Sequence, residues 1–216
     1  MIIAEKLNAI IRILLVNSIQ NNPNLQVNTL AKKADISSAM AKRLVLRLER
    51  SEYVSIRKGV KVIDPIKLMM AWGYTYSIRE LEREEFIAAE RPQYVMLKIA
   101  NKARLWRLKY AFTLFSATEH IHPYVAPSDT HLYILKKDLK AWDSLFRQEN
   151  ILPTEKGGNV GMAKVVCLLV DEEYLEGVSE VRDVNIVSLP QLYADLFSYG
   201  GRGEEAAQEI IRLIKK

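Results

Sequence analysis

The sequence predicts an α/β (α+β) chain in two parts, and three observations carry that reading. The front of the chain has helical periodicity and is strongly basic. After Lys109 the pattern switches to alternating strands and helices, and charge divides between the two parts. Residues 1–63 hold 11 Lys and Arg (Lys6, Arg12, Lys32, Lys33, Lys42, Arg43, Arg47, Arg50, Arg57, Lys58, Lys61) against 4 acids (Glu5, Asp35, Glu49, Glu52), although the whole chain carries only +5. The remainder holds 20 basic and 22 acidic residues, so the surplus is confined to the front. At 216 residues and 49% hydrophobic the chain has room for two small domains with proper cores, which excludes a disordered protein.

Ile3, Leu7, Ile10, Ile11, Leu14 and Leu15 mark one face of an amphipathic first helix. Arg12 interrupts this apolar run, which is far short of the ~20 residues needed to span a bilayer. No small-residue cleavage site follows, so no signal peptide is expected and a soluble, cytoplasmic chain is. A short helix then starts on an Asn28 cap and buries Leu30, Ala31 and Ala34. Asp35-Ile36-Ser37 turns the chain into a second helix, about Ser38 to Glu52, whose Ala41, Leu44, Val45 and Leu48 form one buried stripe. Two alternating runs, Val54–Ile56 and Val60–Val62, are joined by Arg57-Lys58-Gly59. A helix–turn–helix followed by a basic hairpin is the pattern of a winged helix, and residues 1–63 are assigned to such a domain.

Subtracting the buried stripe leaves Ser38, Met40, Lys42, Arg43 and Arg47 facing outward on the second helix of the motif. The N-terminal part of such a helix enters the major groove of double-stranded DNA. There Arg43 or Arg47 is suited to a bidentate pair with guanine, and Ser38 and Lys42 to phosphates or bases. Arg57, Lys58 and Lys61 on the wing are placed to hold neighbouring phosphates. Each phosphate neutralised releases condensed counterions, which gives the segregated charge a physical purpose. The competing use of the same module is protein docking. Leu46 points away from the buried stripe, towards either the following helices or a second protomer.

Residues 64–91 are expected to form a helical connector. Asp64-Pro65 reads as an N-cap with Pro at the first helical position, opening a helix to Gly73. Ser77-Ile-Arg-Glu80 reads as a capping box that opens a charged helix to about Glu90. Residues 92–216 then form the α/β domain. A helix begins at Pro92, and strands are expected at Ala111–Phe115, His131–Leu135, Ala163–Val170 and Val184–Val187. Helices lie near Ala117–His122 and Leu139–Glu149, with an exposed loop at 153–162 turning at Gly157-Gly158-Asn159. A second capping box, Ser188 to Gln191, opens a helix that ends at Gly200-Gly201. A last helix from Glu204 places acids at its start and Lys215 and Lys216 at its end, as the helix dipole favours.

The remaining candidates have plainer readings. Lys98, Lys102, Arg104, Arg107 and Lys109 around Trp106 form a second basic run, either a solvated face or a supplementary contact. His120 and His122 share a spacing of two, but no third or fourth ligand lies in register and His131 falls on another segment, so no metal is expected. Gly201-Arg-Gly203-Glu-Glu-Ala206 matches a dinucleotide pattern loosely, yet it follows a helix instead of a strand, and no cofactor is expected. Cys167 lies in an apolar strand and reads as a structural thiol. Ser116 and Ser188 lack a nucleophile elbow, and Asp171-Glu172-Glu173 lacks a matching carboxylate–x–Lys partner, so no enzyme is expected.

The runs 110–120 (YAFTLFSATEH), Pro123-Tyr124, Pro127 and 131–134 (HLYI) resemble a segment of the AbiEi-type antitoxins of type IV toxin–antitoxin systems. So do 187–196 (VSLPQLYADL) and 200–207 (GGRGEEAA), at fixed separation. The resemblance covers roughly 110–210, and a winged helix in front is that family's arrangement too. It implies an operator-binding transcriptional regulator that represses its own operon and whose C-terminal domain counters a nucleotidyltransferase-like toxin, with or without direct contact. Arg202, displayed between glycines before a helix, is the candidate functional group of that domain; pairing with Asp195 or Glu205 is its structural alternative. A nucleic-acid-processing enzyme and a docking adaptor are the other function classes. Oligomeric state is open.

Overall fold

The computed structural model describes residues 2–20, 24–154 and 163–215. The chain divides into two compact units, one formed by Met1–Ile78 together with Ser188–Lys216, the other by Arg79–Val187. This differs from the linear division at 64–91 and 92–216, because the last two helices group with the first residues and not with the strands that precede them.

In the first unit, α1 (Ile2–Ile19) leads to α2 (Val27–Lys33), α3 (Ser38–Arg50), β1 (Val54–Ser55), β2 (Lys61–Val62) and α4 (Pro65–Gly73). The unit is completed by α8 (Leu189–Tyr199) and α9 (Arg202–Ile214). The expected one-sided amphipathic α1 is corrected here. Every residue from Ala9 to Val16 is buried, Arg12 included, whereas Ile3 is 58% exposed. A helix apolar all round is a central helix, and α1 packs on α2, α3, β2, α4 and α8. Arg12 donates from Nε to Gln191 Oε1 at 2.5 Å, and its guanidinium lies 5.7 Å from the Trp72 ring centroid. Gln191 Nε2 in turn donates to Asp195 Oδ1 at 2.8 Å, so a buried polar chain ties α1 to α8.

The cap of α4 is as the sequence requires. Asp64 Oδ1 accepts from the amides of Ile66 and Lys67, with Pro65 at the first turn. Two other caps differ. Asn28 lies inside α2, whose N-cap is Gln26 without a side-chain bond. Ser188 does cap α8 by accepting from the Gln191 amide, but the Gln191 side chain bonds Arg12 and Asp195. Gly73 and Gly203 allow close packing against α8. A Cβ on Gly203 would lie 2.3 Å from the Leu196 carbonyl oxygen, and one on Gly73 would lie 3.0 Å from the Tyr193 ring.

The second unit is a mixed sheet of seven strands among the described residues. In chain order it holds β3 (Arg83–Ala88), α5 (Pro92–Trp106), β4 (Tyr110–Phe112), α6 (Leu114–Ile121), β5 (Thr130–Leu135), α7 (Leu139–Gln148), β6 (Leu152–Pro153), β7 (Ala163–Val170), β8 (Ser179–Val181) and β9 (Val184–Ile186). Strand order is β6-β3-β7-β5-β4-β9-β8, with β5/β7 and β4/β9 parallel and the other pairs antiparallel. The apolar run Val165–Val170 lies between two neighbours and is buried throughout, as continuous hydrophobicity in a strand demands. Both edge strands are short, which limits the exposed ladder.

The expected charged helix from Ser77 to Glu90 is corrected. Residues Ile78–Glu80 form one 3₁₀ turn, and Arg83–Ala88 is a strand paired along its length with β7. Glu and Arg favour helices, yet strand formation buries Phe86, Ile87 and Ala88. It also sets the Phe86 ring 4.8 Å from Phe146 and pairs Glu85 with Lys164 across the sheet at 3.0 Å. Packing outweighs propensity here. The other expected strands and helices are present with shifted ends, and the turn at 157–159 lies outside the described residues.

Candidate nucleic-acid interface

The candidate surface is built on α3 and the hairpin after it. Ser37 caps α3 by accepting from the Met40 amide at 3.2 Å, and Asp35 makes the preceding turn at φ 48°. Ala41, Leu44, Val45 and Leu48 are all buried, which fixes the rotation of the helix. Ser38, Lys42, Arg43 and Arg47 are therefore exposed; Met40 is half-buried and sits at the margin of that face. The same helical rotation exposes Ala39 and Arg50, which the sequence reading left out; stepping 100° per residue from the stripe would have found both.

The hairpin pairs Val54 with Val62 and Ser55 with Lys61. Arg57, Lys58 and Lys61 are exposed on it. Gly59 turns the chain at φ 99°, where a Cβ would approach the Leu25 carbonyl oxygen to 3.3 Å. Leu25 itself exchanges backbone bonds with Val60, at 3.1 and 2.7 Å, so a bridge between α1 and α2 lies beside β2. No apolar alternation marks that single residue in the sequence. Glu49 Oε1 accepts from the Ile56 amide at 3.3 Å, which links α3 to the hairpin and occupies the one acid within α3.

Ion pairing separates the two basic runs. Among the described residues, none of Lys42, Arg43, Arg47, Arg50, Arg57, Lys58 and Lys61 enters an ion pair. In the second unit, Lys98 pairs with Glu90, Lys102 with Glu149 at 2.7 Å, Arg104 with Glu180 at 3.4 Å, and Lys109 with Glu172 at 2.9 Å. Lys137 also reaches Glu172, at 2.6 Å, and the two lysines hold that carboxyl below its ordinary range, Lys137 contributing most. Four of the five cations around Trp106 are thus paired with acids of the same unit, Arg107 being the exception among the described residues, which favours the solvated-face reading.

Other singled-out residues are tied into the fold. Ser116 Oγ donates to the Asp129 carbonyl and accepts from the His131 amide. Cys167 is buried on β7, and burial pushes its thiol well above the ordinary value. His120 lies on α6 and His122 just past its end, not on a strand. His131 is on β5, and burial lowers its pKa from the ordinary 6.5. Arg202 is exposed on the first turn of α9 and pairs with neither Asp195 nor Glu205 among the described residues. No helix described is long and apolar enough to cross a membrane.

No curated protein and no solved structure matches the chain. A family model described as transcriptional regulator, AbiEi antitoxin, type IV toxin–antitoxin system matches residues 61–215, from β2 through α9. With most of its length inside that match, the chain belongs to the AbiEi antitoxin family of transcriptional regulators.

Proposed function

We propose that the first unit carries a winged-helix module that binds operator DNA, and that the protein represses its own operon as the antitoxin of a type IV system. Helix, bridge strand, helix, helix, strand, strand is the order of that module: α1, Leu25, α2, α3, β1, β2. The observation that carries the reading is the set of exposed cations on α3 and the hairpin that no acid of the described chain neutralises. Cations left unpaired by the fold are available to phosphates, and their binding is driven by counterion release. In this reading α3 enters the major groove, Ser38, Lys42, Arg43 and Arg47 meet bases and phosphates, Met40 lines the edge, and Arg57, Lys58 and Lys61 follow the backbone.

The protein acts in the cytoplasm and performs no catalysis of its own in this account. The toxin it opposes is nucleotidyltransferase-like, and the type IV relation does not require the two to touch; Arg202 is the exposed group through which the C-terminal part would act. Binding of duplexes from the upstream region of its own gene across a salt series tests the proposal. A log–log slope of roughly −3 to −6 is expected for a few phosphate contacts. Absence of retardation on every duplex at low salt would overturn it. Turnover by the purified chain with Mg²⁺ or Mn²⁺ in nuclease or nucleotidyl-transfer assays would overturn the non-catalytic part alone.

A further inference from the structure

We infer that Leu46 reads thymine, as an apolar contact at the centre of the cationic face of α3. The inference rests on the DNA-binding reading above and specifies which base edge that surface prefers. With Ala41, Leu44, Val45 and Leu48 buried, the opposite ridge of the helix is Ala39, Lys42, Arg43, Leu46 and Arg50. Leu46 is the ninth residue of this helix and stands in the middle of that ridge. Lys42 and Arg43 lie one turn before it and Arg50 one turn after, the positions whose side chains neighbour it on a helix. All three are exposed and without an ion pair among the described residues, while Leu46 is half-buried.

Leu46 lies outside the stripe of Ala41, Leu44, Val45 and Leu48 that α3 buries. The main contacts of α3 are with α1, α2 and β1, which its opposite stripe supplies. The partner must therefore combine anionic groups spaced around the ridge with an apolar feature at its centre. A duplex major groove does both: phosphates flank it, and its one apolar group on a base edge is the thymine 5-methyl. Lys42 and Arg43 beside Leu46 have the donors for guanine O6 and N7. Ala39, one turn towards the N-terminus from Lys42 and Arg43 and two from Leu46, has no bulk to hold the ridge off the groove floor. The preferred element is thus a thymine adjoining a guanine.

The test uses the full chain and a randomised duplex pool, from which bound sequences are enriched. The best duplex is then made with each thymine in turn replaced by deoxyuridine, which removes only the methyl group. At one thymine of the bound site the wild-type chain is expected to bind about fourfold more weakly, the value of one methyl group taken from contact. Leu46→Ala should bind the thymine duplex at the uracil level and lose the discrimination, whereas Leu46→Met should retain it. Both replacements are strong helix formers at a partly exposed position, so helicity is preserved. Enriched DNA at which no methyl matters, or undiminished discrimination by Leu46→Ala, overturns the inference and leaves DNA binding standing. Failure to enrich any duplex overturns both. If Leu46→Ala changes the sedimentation of the free chain while base discrimination is kept, the leucine is a self-association contact and the inference falls.

Discussion

Replacing Gln191 by Leu is the sharpest probe of how the first unit is held together. Gln191 is fully buried and serves two charged neighbours, accepting from Arg12 Nε at 2.5 Å and donating to Asp195 Oδ1 at 2.8 Å. A hydrogen bond to a charged group contributes about 1.5–3 kcal/mol, and the Gln191 side chain makes one to each of two buried charged groups. Because Arg12 is 0% exposed, water cannot replace the lost acceptor without opening the helix interface. Gln191→Leu should therefore destabilise the first unit by ~3–5 kcal/mol, a large fraction of the ~5–15 kcal/mol of an ordinary domain. Urea-dependent hydrogen exchange of the α1 and α8 amides measures this unit directly. The triple replacement Arg12→Met, Gln191→Leu, Asp195→Leu removes both charges that Gln191 serves and should be less costly than Gln191→Leu alone. A loss below about 1 kcal/mol in those amides, or a triple variant less stable than the single one, would refute the reasoning.

Arg43→Ala should cost about 1–3 kcal/mol on its preferred duplex and less on others, whereas Lys58→Ala should weaken all duplexes alike and reduce the salt slope by about one; competition binding on specific and random DNA separates the two. Reversing Lys98 and Lys102 to Glu should leave that slope unchanged, because their charge is already met by Glu90 and Glu149. His131 is held neutral by burial, its pKa below the unfolded value. The unfolded state then binds the extra proton, so stability should rise with pH from the folded value up to about 6.5 and be lost below it, and unfolding midpoints of His131→Gln should lack that dependence. Gly203→Ala forces a Cβ to 2.3 Å from the Leu196 oxygen, so helices α8 and α9 must part. A loss of more than ~2 kcal/mol is expected by thermal unfolding, where an unchanged midpoint would show that the close approach is not needed.

The elements easiest to read in the sequence were those whose burial has one period. The stripe of α3, the run Val165–Val170 and the Asp64-Pro65 cap each state a local rule that the fold obeys. Legibility failed where a distant partner decides the outcome. Nothing near Glu84 announces that β7 will take Arg83–Ala88 as a strand, and nothing near Arg12 announces that Gln191 will receive its guanidinium. The capping-box pattern at Ser77–Glu80 was a local signal without a tertiary partner, while at Ser188 half of the box was diverted to a stronger acceptor need. For the candidate interface, composition located the charge but not its availability. Availability is set by the fold, which engages Lys98, Lys102, Arg104 and Lys109 and, among the described residues, leaves the cations of α3 without an ion pair.

The pairing of α1 with α8 has a bearing on synthesis. The bond between Arg12 and Gln191 spans a separation of 179 residues. Chains emerge at about 5–20 residues per second, so the first helix waits on the order of ten to forty seconds for the companion that completes its interior. In the meantime the segment Arg79–Val187, bounded as a unit of its own, is free to fold. Interrupted translation products lacking residues 188–216 would carry the cations of α3 and the hairpin on an unfinished base, and under the DNA-binding proposal a firm grip on a duplex would be acquired only after α8 and α9 have left the ribosome.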